Sequence, residues 1–247
     1  MSFITPTRTF AAVSFFIGEL GGGLNYFQAM YLVVLGWNES AIGVALSLMG
    51  FTNLFMQTIA GNIVDKATVD RRILLCFAAL TTAGSAMAIM YVREGNQDHM
   101  LMYITKVFEG IACSFMSPCL TALTLANFGP EQFDSIMASN VFWGLVGYAI
   151  SATLVGVAAY VFYPNIKLCF LILGLSAAAA SALARHLPEG TPKLGSGFQV
   201  ENRANDDLEK DENTSLFQRK SQEAASYWTV FTDRRTLTFC LTGFFFQ

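Results

Sequence analysis

"GNIVDKATVDRR", residues 61–72, places five charges within residues 65–72 of a chain that is only 13% charged overall. Long apolar runs flank it on both sides, so its reading decides how the rest of the chain is laid out. Soluble domains carry about 25% charged residues. Here most of the charge is gathered in short loops and in one stretch near the C-terminus, leaving long uncharged runs between. Runs of about 20 apolar residues match the roughly 30 Å hydrocarbon core of a bilayer at about 1.5 Å per helical residue. With 53% hydrophobic residues over 247 positions, the chain reads as an integral membrane protein with the lipid bilayer as its first partner. The net charge of −3 says little, because the distribution of charge matters more than its sum. No basic stripe suggests nucleic acid.

Six runs are long enough to cross: about 10–36, 41–60, 73–92, 101–126, 138–162 and 166–185. None alternates with the period of two that a membrane barrel strand needs. Each is therefore predicted to be a helix, whose backbone bonds are satisfied internally. The short links make sequential helices antiparallel neighbours, so residues 1–186 are expected to form a six-helix bundle. Residues 187–235 mix Gly, Pro, Asn and both signs of charge, as a flexible linker does. After it, "TLTFCLTGFFFQ", residues 236–247, begins a seventh apolar run. Its twelve residues make about 18 Å of helix, too short to span. The expected partner of this chain is thus a C-terminal half of the same protein.

Orientation follows from the basic residues. With the N-terminus inside, Arg8, Lys66, Arg71, Arg72 and Arg185 are cytoplasmic, and only Arg93 and Lys167 of the short loops lie outside. The linker and the approach to the seventh run add seven more basic residues inside. The positive-inside rule predicts a cytoplasmic N-terminus. Residues 61–72 then face the cytoplasm, where Asp65 or Asp70 can cap the third helix. Gly61 suits a close helix approach or a tight turn.

The spacing in that loop carries a further signal. Gly61, three residues, Asp65 and Lys66, followed by the pair Arg71–Arg72, resembles the signature loop of the major facilitator superfamily, G-x-x-x-D-[RK]-x-G-[RK]-[RK], between its second and third helices. Thr68 stands where that pattern has Gly, and the Arg pair comes about two residues late. "KVFEGIACS" in the fourth run resembles a second family pattern, with Lys106 for Arg, Glu109 for the amide and Gly110 retained. The Gly-Pro pair of many antiporters in the fifth helix is absent from residues 138–162. Six spans, a long cytoplasmic linker and a seventh run also match the family's six-plus-six plan. The resemblance implies an all-α membrane protein: the six-helix N-terminal bundle of a major-facilitator-type fold plus the start of a seventh helix. It also implies that Gly61, Asp65, Lys66, Arg71 and Arg72 form a cytoplasmic gating loop that latches the outward-facing state.

Three ionisable residues lie inside the spans: Glu19, Lys106 and Glu109. A charge at the bilayer centre costs about 2.5–3.5 kcal/mol on insertion scales, so these should face the bundle interior and be paired or neutral. Glu19 lies about 16 Å inward from Arg8 and Glu109 about 15 Å inward from His99 by helix rise, which predicts that both reach the midplane. Lys106 and Glu109, three apart, share a helix face. One reading gives Glu19 or Glu109 a proton or cationic group and Lys106 an anionic group. The other is a static Lys106–Glu109 pair that fixes packing. In "GELGGGLNYFQ" Asn25 joins Glu19, Lys106 and Glu109 as a binding candidate, with Gln28 following. The three glycines between suit either a loosened, ligand-binding helix or close packing. Asn53 and Gln57 read as interhelical hydrogen bonds, Asn140, Trp143 and Tyr148 as open between packing and ligand roles, and Pro118 as a kink.

The five cysteines sit in apolar runs without a CxxC or Cys/His cluster, and the two histidines lie at helix ends, so neither metal nor cofactor is expected. No nucleotide-binding loop is present, so a gradient is the expected energy source. The function implied is secondary active or facilitated transport of a small solute by alternating access, with protons as a possible coupling partner, rather than enzymatic catalysis. A non-transporting receptor, scaffold or assembly factor with the same fold is the alternative.

Overall fold

The computed structural model describes residues 6–21, 23–66, 69–93, 98–162, 167, 169–188 and 190, with residues 21 and 23–26 described by backbone alone. The expected linker beyond residue 190 and the start of the seventh helix lie outside the described residues. All regular structure within them is helical: α1 Pro6–Gly21, α2 Gly23–Val34, α3 Glu39–Lys66, α4 Arg71–Ala88 with a 3-10 turn Ile89–Tyr91, α5 His99–Val161 and α6 Cys169–Arg185. Together α1 and α2 occupy the first predicted span, and α3, α4 and α6 occupy the second, third and sixth.

The 63 residues of α5 would extend about 95 Å if straight, far beyond one bilayer crossing. The helix is broken at Gly129, whose φ of 69° and ψ of 176° are non-helical, with Pro130 next. The two arms fold back on one another, as the hydrogen bond from Asn140 Nδ2 to Thr124 Oγ1 at 3.1 Å requires. They fill the fourth and fifth spans. A nine-residue loop, "NFGPEQFDS", was the expectation here; helical backbone continues to both sides of the single break. Gly meets the positive φ without steric cost, and Pro suits the start of the returning arm. Pro118 leaves the backbone helical, and Gly129 is the one non-helical position inside α5.

Local chemistry fixes the helix ends. Gly36, at φ 74°, closes α2, with its N–H bonded to Val33 O and Trp37 N–H to Leu32 O. Asn38 Oδ1 accepts the Ser40 N–H at 3.0 Å and so caps α3. Trp37 Nε1 donates to Arg93 O at 3.0 Å, tying the α2–α3 corner to the segment after α4.

Packing relies on small residues, as expected where the hydrophobic effect gives no drive between helices in lipid. Ala78, Ala79, Ala83 and Ala86 of α4 and Ala177, Ala180 and Ala184 of α6 are all buried. Large apolar side chains such as Phe51, Phe55, Phe77, Leu145 and Leu175 point outward, as lipid contact requires. The closest approach is between α1 and the second arm of α5. A Cβ on Gly18 would run into the Gly144 carbonyl, and one on Gly147 into the Phe15 carbonyl. Here the helices touch backbone to backbone. Gly110 makes a similar approach to α3, where a Cβ would lie 2.7 Å from Met49 O.

Candidate functional site

The ionisable groups inside the bundle lie in two separate places. In the first, Lys106 Nζ lies 2.9 Å from Glu109 Oε2, one helical turn along the same face of α5. Gln28 of α2 completes the cluster: its Nε2 donates to Glu109 Oε1 at 2.9 Å, and its Oε1 accepts from Lys106 Nζ. Lys106 and Gln28 are 0% exposed and Glu109 is 2% exposed. Every charge in this triangle has an opposite charge and an amide partner, so its burial is compensated.

Glu19 is elsewhere. Its Oε2 lies 2.6 Å from Ser176 Oγ of α6, and no cation pairs with it among the described residues. Glu19 and Glu109 are both expected at the midplane, yet they do not meet. Gln28 of α2, not Glu19 of α1, meets the Lys106–Glu109 pair of α5, and Glu19 turns to Ser176 of α6. Gln28 was legible as a polar residue in an apolar run; its role as the amide bridge was not. Asn25 belongs to the residues whose side chains are not described.

Ser176 Oγ also lies 3.0 Å from Ile172 O. A hydroxyl has one proton to give. When Ser176 donates it to Ile172 O, the bond to Glu19 can be made only by a protonated Glu19. The neutral acid thus satisfies both contacts, whereas the carboxylate competes with Ile172 for one hydrogen.

Between α1, α3 and both arms of α5 lies a cavity of about 360 Å³. From α1 it is lined by Ser14, Ile17 and Gly18, and from α3 by Met49 and Asn53. The first arm of α5 supplies Cys113, Met116, Ser117, Leu120 and Thr121, and the second Met137, Asn140, Val141 and Gly144. None of these residues is ionisable at neutral pH apart from the weakly acidic thiol, and neither charge site lines the space. Along α5 the cavity lies on the Gly129 side of Glu109, beginning one turn on, at Cys113. Asn53 and Asn140 therefore face a space as well as neighbouring helices. Asn140 donates one amide hydrogen to Thr124, and Asn53 makes no hydrogen bond among the described residues.

Among the described residues of 61–72, the side-chain contacts centre on Asp70 rather than Asp65. Asp70 Oδ1 accepts the Arg72 N–H at 2.9 Å and caps α4, while Oδ2 takes Arg72 Nε at 2.8 Å and Nη2 at 2.5 Å. The Arg72 guanidinium holds the Asp70 carboxyl below the usual carboxylate range. Arg72 Nη1 reaches on to Leu187 O at 2.9 Å, and Asn127 Nδ2 to Pro188 O at 3.1 Å, so the chain leaving α6 is fastened on this side. Arg71 is buried, with Nε 3.3 Å from Val64 O. Asp65 and Lys66 are exposed. Gly61 departs from expectation: it lies within α3, away from any turn, and nothing would stand within 4 Å of a Cβ there.

Asp70→Ala is expected to cost about 1–2 kcal/mol, the usual worth of a lost N-cap, with the Arg72 clasp lost as well. Because the folded-state carboxyl titrates lower than the unfolded one, its contribution is full above the ordinary carboxylate range near about pH 4 and fades as pH falls through and below it. Thermal unfolding of wild type and variant at neutral and acidic pH should show the difference narrowing in acid.

Comparison with known proteins places the loop and bundle in context. The family model described as Major Facilitator Superfamily matches residues 9–247. Two Mycobacterium tuberculosis proteins, from strains CDC 1551 / Oshkosh and ATCC 25618 / H37Rv, are each 27% identical over 183 residues, covering 74% of this chain. Both are described as uncharacterized MFS-type transporters. The chain spans 42% of the length of these relatives. No solved structure matches it.

Proposed function

The chain belongs to the Major Facilitator Superfamily, and from that premise we propose that it is the N-terminal half of a secondary transporter that moves a small solute by alternating access, coupled to protons through Glu19. The observation that carries this reading is the cavity between α1, α3 and α5, together with a buried carboxyl that has a hydroxyl and, among the described residues, no cation for a partner. A site of about 360 Å³ falls in the range of about 300–1,000 Å³ typical of small-molecule pockets. Intramembrane carboxyls mark proton or substrate paths more often than not.

The two buried charge sites divide the work. Lys106, Glu109 and Gln28 form a closed triangle that fastens α2 to the first arm of α5 as the bundle moves. Glu19 gains and loses a proton, and the change alters its hold on Ser176 and hence the α1–α6 contact. The N-terminus lies in the cytoplasm, as the basic residues favour. Asp65 and Lys66, exposed beside the ordered Asp70–Arg72 clasp, reach the C-terminal half when the cytoplasmic side is closed.

Glu19→Gln tests the coupling, because the amide keeps the shape and a hydrogen bond to Ser176 but cannot release a proton. The full-length variant in proteoliposomes should express and fold like wild type and lose acceleration of solute uptake by an inward proton gradient. Uptake that stays gradient-driven and pH-dependent in the variant would remove Glu19 from the mechanism.

A further inference from the structure

The wall of the cavity singles out a class of solute. Serine and threonine in membrane helices usually spend the hydroxyl on a carbonyl three or four residues back. Thr52, Thr82, Thr105, Ser114, Thr124 and Thr153 all do so here. Ser14, Ser117 and Thr121, which line the cavity, do not, and among the described residues neither do some hydroxyls away from it, such as Ser47 and Ser151. Ser14 Oγ is fully buried and has no hydrogen-bond partner, in a residue that is 3% exposed. Asn53, on the facing wall, has its whole amide unspent among the described residues. Asn53, Ser117 and Thr121 are partly or fully exposed on the same space with no hydrogen bond among the described residues, so they are free to bond to a ligand there.

The rest of the wall is apolar and adaptable. Three methionines, one each from α3 and the two arms of α5, line the same space, and methionine fits irregular apolar shapes. Charge is absent from this wall. Lys106 and Glu109 neutralise one another with Gln28 and lie off the cavity, and Glu19 turns to Ser176. A charged solute would shed its hydration here with no counter-charge on the wall this chain provides.

We infer that the cavity binds an uncharged solute with an apolar body and a hydroxyl- or amide-bearing edge. The apolar body lies against the methionines and the polar edge against Asn53, Ser117 and Thr121. The inference rests on the transporter reading and narrows it: the solute carries no charge, and any charge moved per cycle is the proton's.

Three matched sugars differ only at carbon 6: alkyl or aryl glucosides are neutral, the corresponding glucuronides are anionic, and the 6-amino-6-deoxyglucosides are cationic. Each triad is titrated against the full-length protein in detergent, with thermal stabilisation as the readout. The neutral member is expected to stabilise at concentrations about tenfold or more below its charged analogues, the discrimination expected for an uncompensated charge. Asn53→Asp, which adds a carboxylate to the wall, should shift the preference toward the amino sugar. Stabilisation by a charged member equal to that by the neutral one overturns the proposal while leaving transport intact. So does stabilisation by no member. An Asn53→Asp protein with the wild-type preference removes the cavity as the binding site. Failure of the transporter reading shows elsewhere, in absent solute flux and one-sided access to the cavity.

Discussion

Lys106→Met is expected to destabilise the protein by about 3–5 kcal/mol, the cost of leaving one partner of a buried ion pair behind. Total stabilities are about 5–15 kcal/mol, so expression should fall steeply. In the variant, Glu109 would remain 2% exposed in wild-type geometry, with only the Gln28 amide to hold its charge. Lys106→Met combined with Glu109→Gln should recover most of the loss, because two neutral groups replace the pair and Gln28 can still bond to an amide. Thermal unfolding of both variants in detergent measures this. If the double variant is no more stable than the single one, uncompensated charge is not what makes Lys106 necessary. The recovered double variant also gives a folded protein in which transport can be assayed without the triangle, separating its packing role from any solute role.

Gly147→Leu and Gly18→Val are expected to be as damaging for a different reason. Each places carbon where α1 and the second arm of α5 touch through backbone carbonyls. A backbone cannot yield as a side-chain end can, so the helices must separate and the cavity between them must change shape. Overpacking usually costs about 1–3 kcal/mol, and these positions should lie at or beyond the upper end. Gly61→Ala is the contrast. Open space surrounds that position inside α3, and alanine is favoured over glycine in a helix by about 0.5–1 kcal/mol. It should leave stability unchanged or raise it slightly. Melting temperatures of the three variants, measured side by side, test whether backbone contact distinguishes these glycines.

Composition and charge made the membrane bundle legible, because lipid leaves few ways to satisfy a backbone. The 61–72 stretch supplied the family through Gly61, Asp65 and Lys66, even though the residue that organises the loop is Asp70. The Lys106–Glu109 pair was equally readable, since a three-residue spacing on a helix fixes a shared face. What escaped were contacts that depend on helix rotation and depth. Helix rise put Glu19 and Glu109 at similar depths from opposite faces, but the first span, α1 with α2, is longer than a bilayer needs. Gln28 therefore meets Glu109, and Glu19 meets Ser176. Ser176 itself gave no signal, being one hydroxyl in an alanine-rich helix. The cavity escaped for a similar reason: Ser117 and Thr121 look like their back-bonded neighbours until the structure shows which hydroxyls are unspent.

Access to the cavity from the two sides of the membrane tests the central claim most directly. Ser117 is exposed toward the cavity, so Ser117→Cys in an otherwise cysteine-free full-length protein gives a reporter for a membrane-impermeant maleimide. Lys66→Cys provides a control in the opening loop. In right-side-out and inside-out vesicles, alternating access predicts that position 117 reacts from either side while position 66 reacts from the cytoplasmic side alone. Labelling of position 117 from one side only, or from neither, would contradict it.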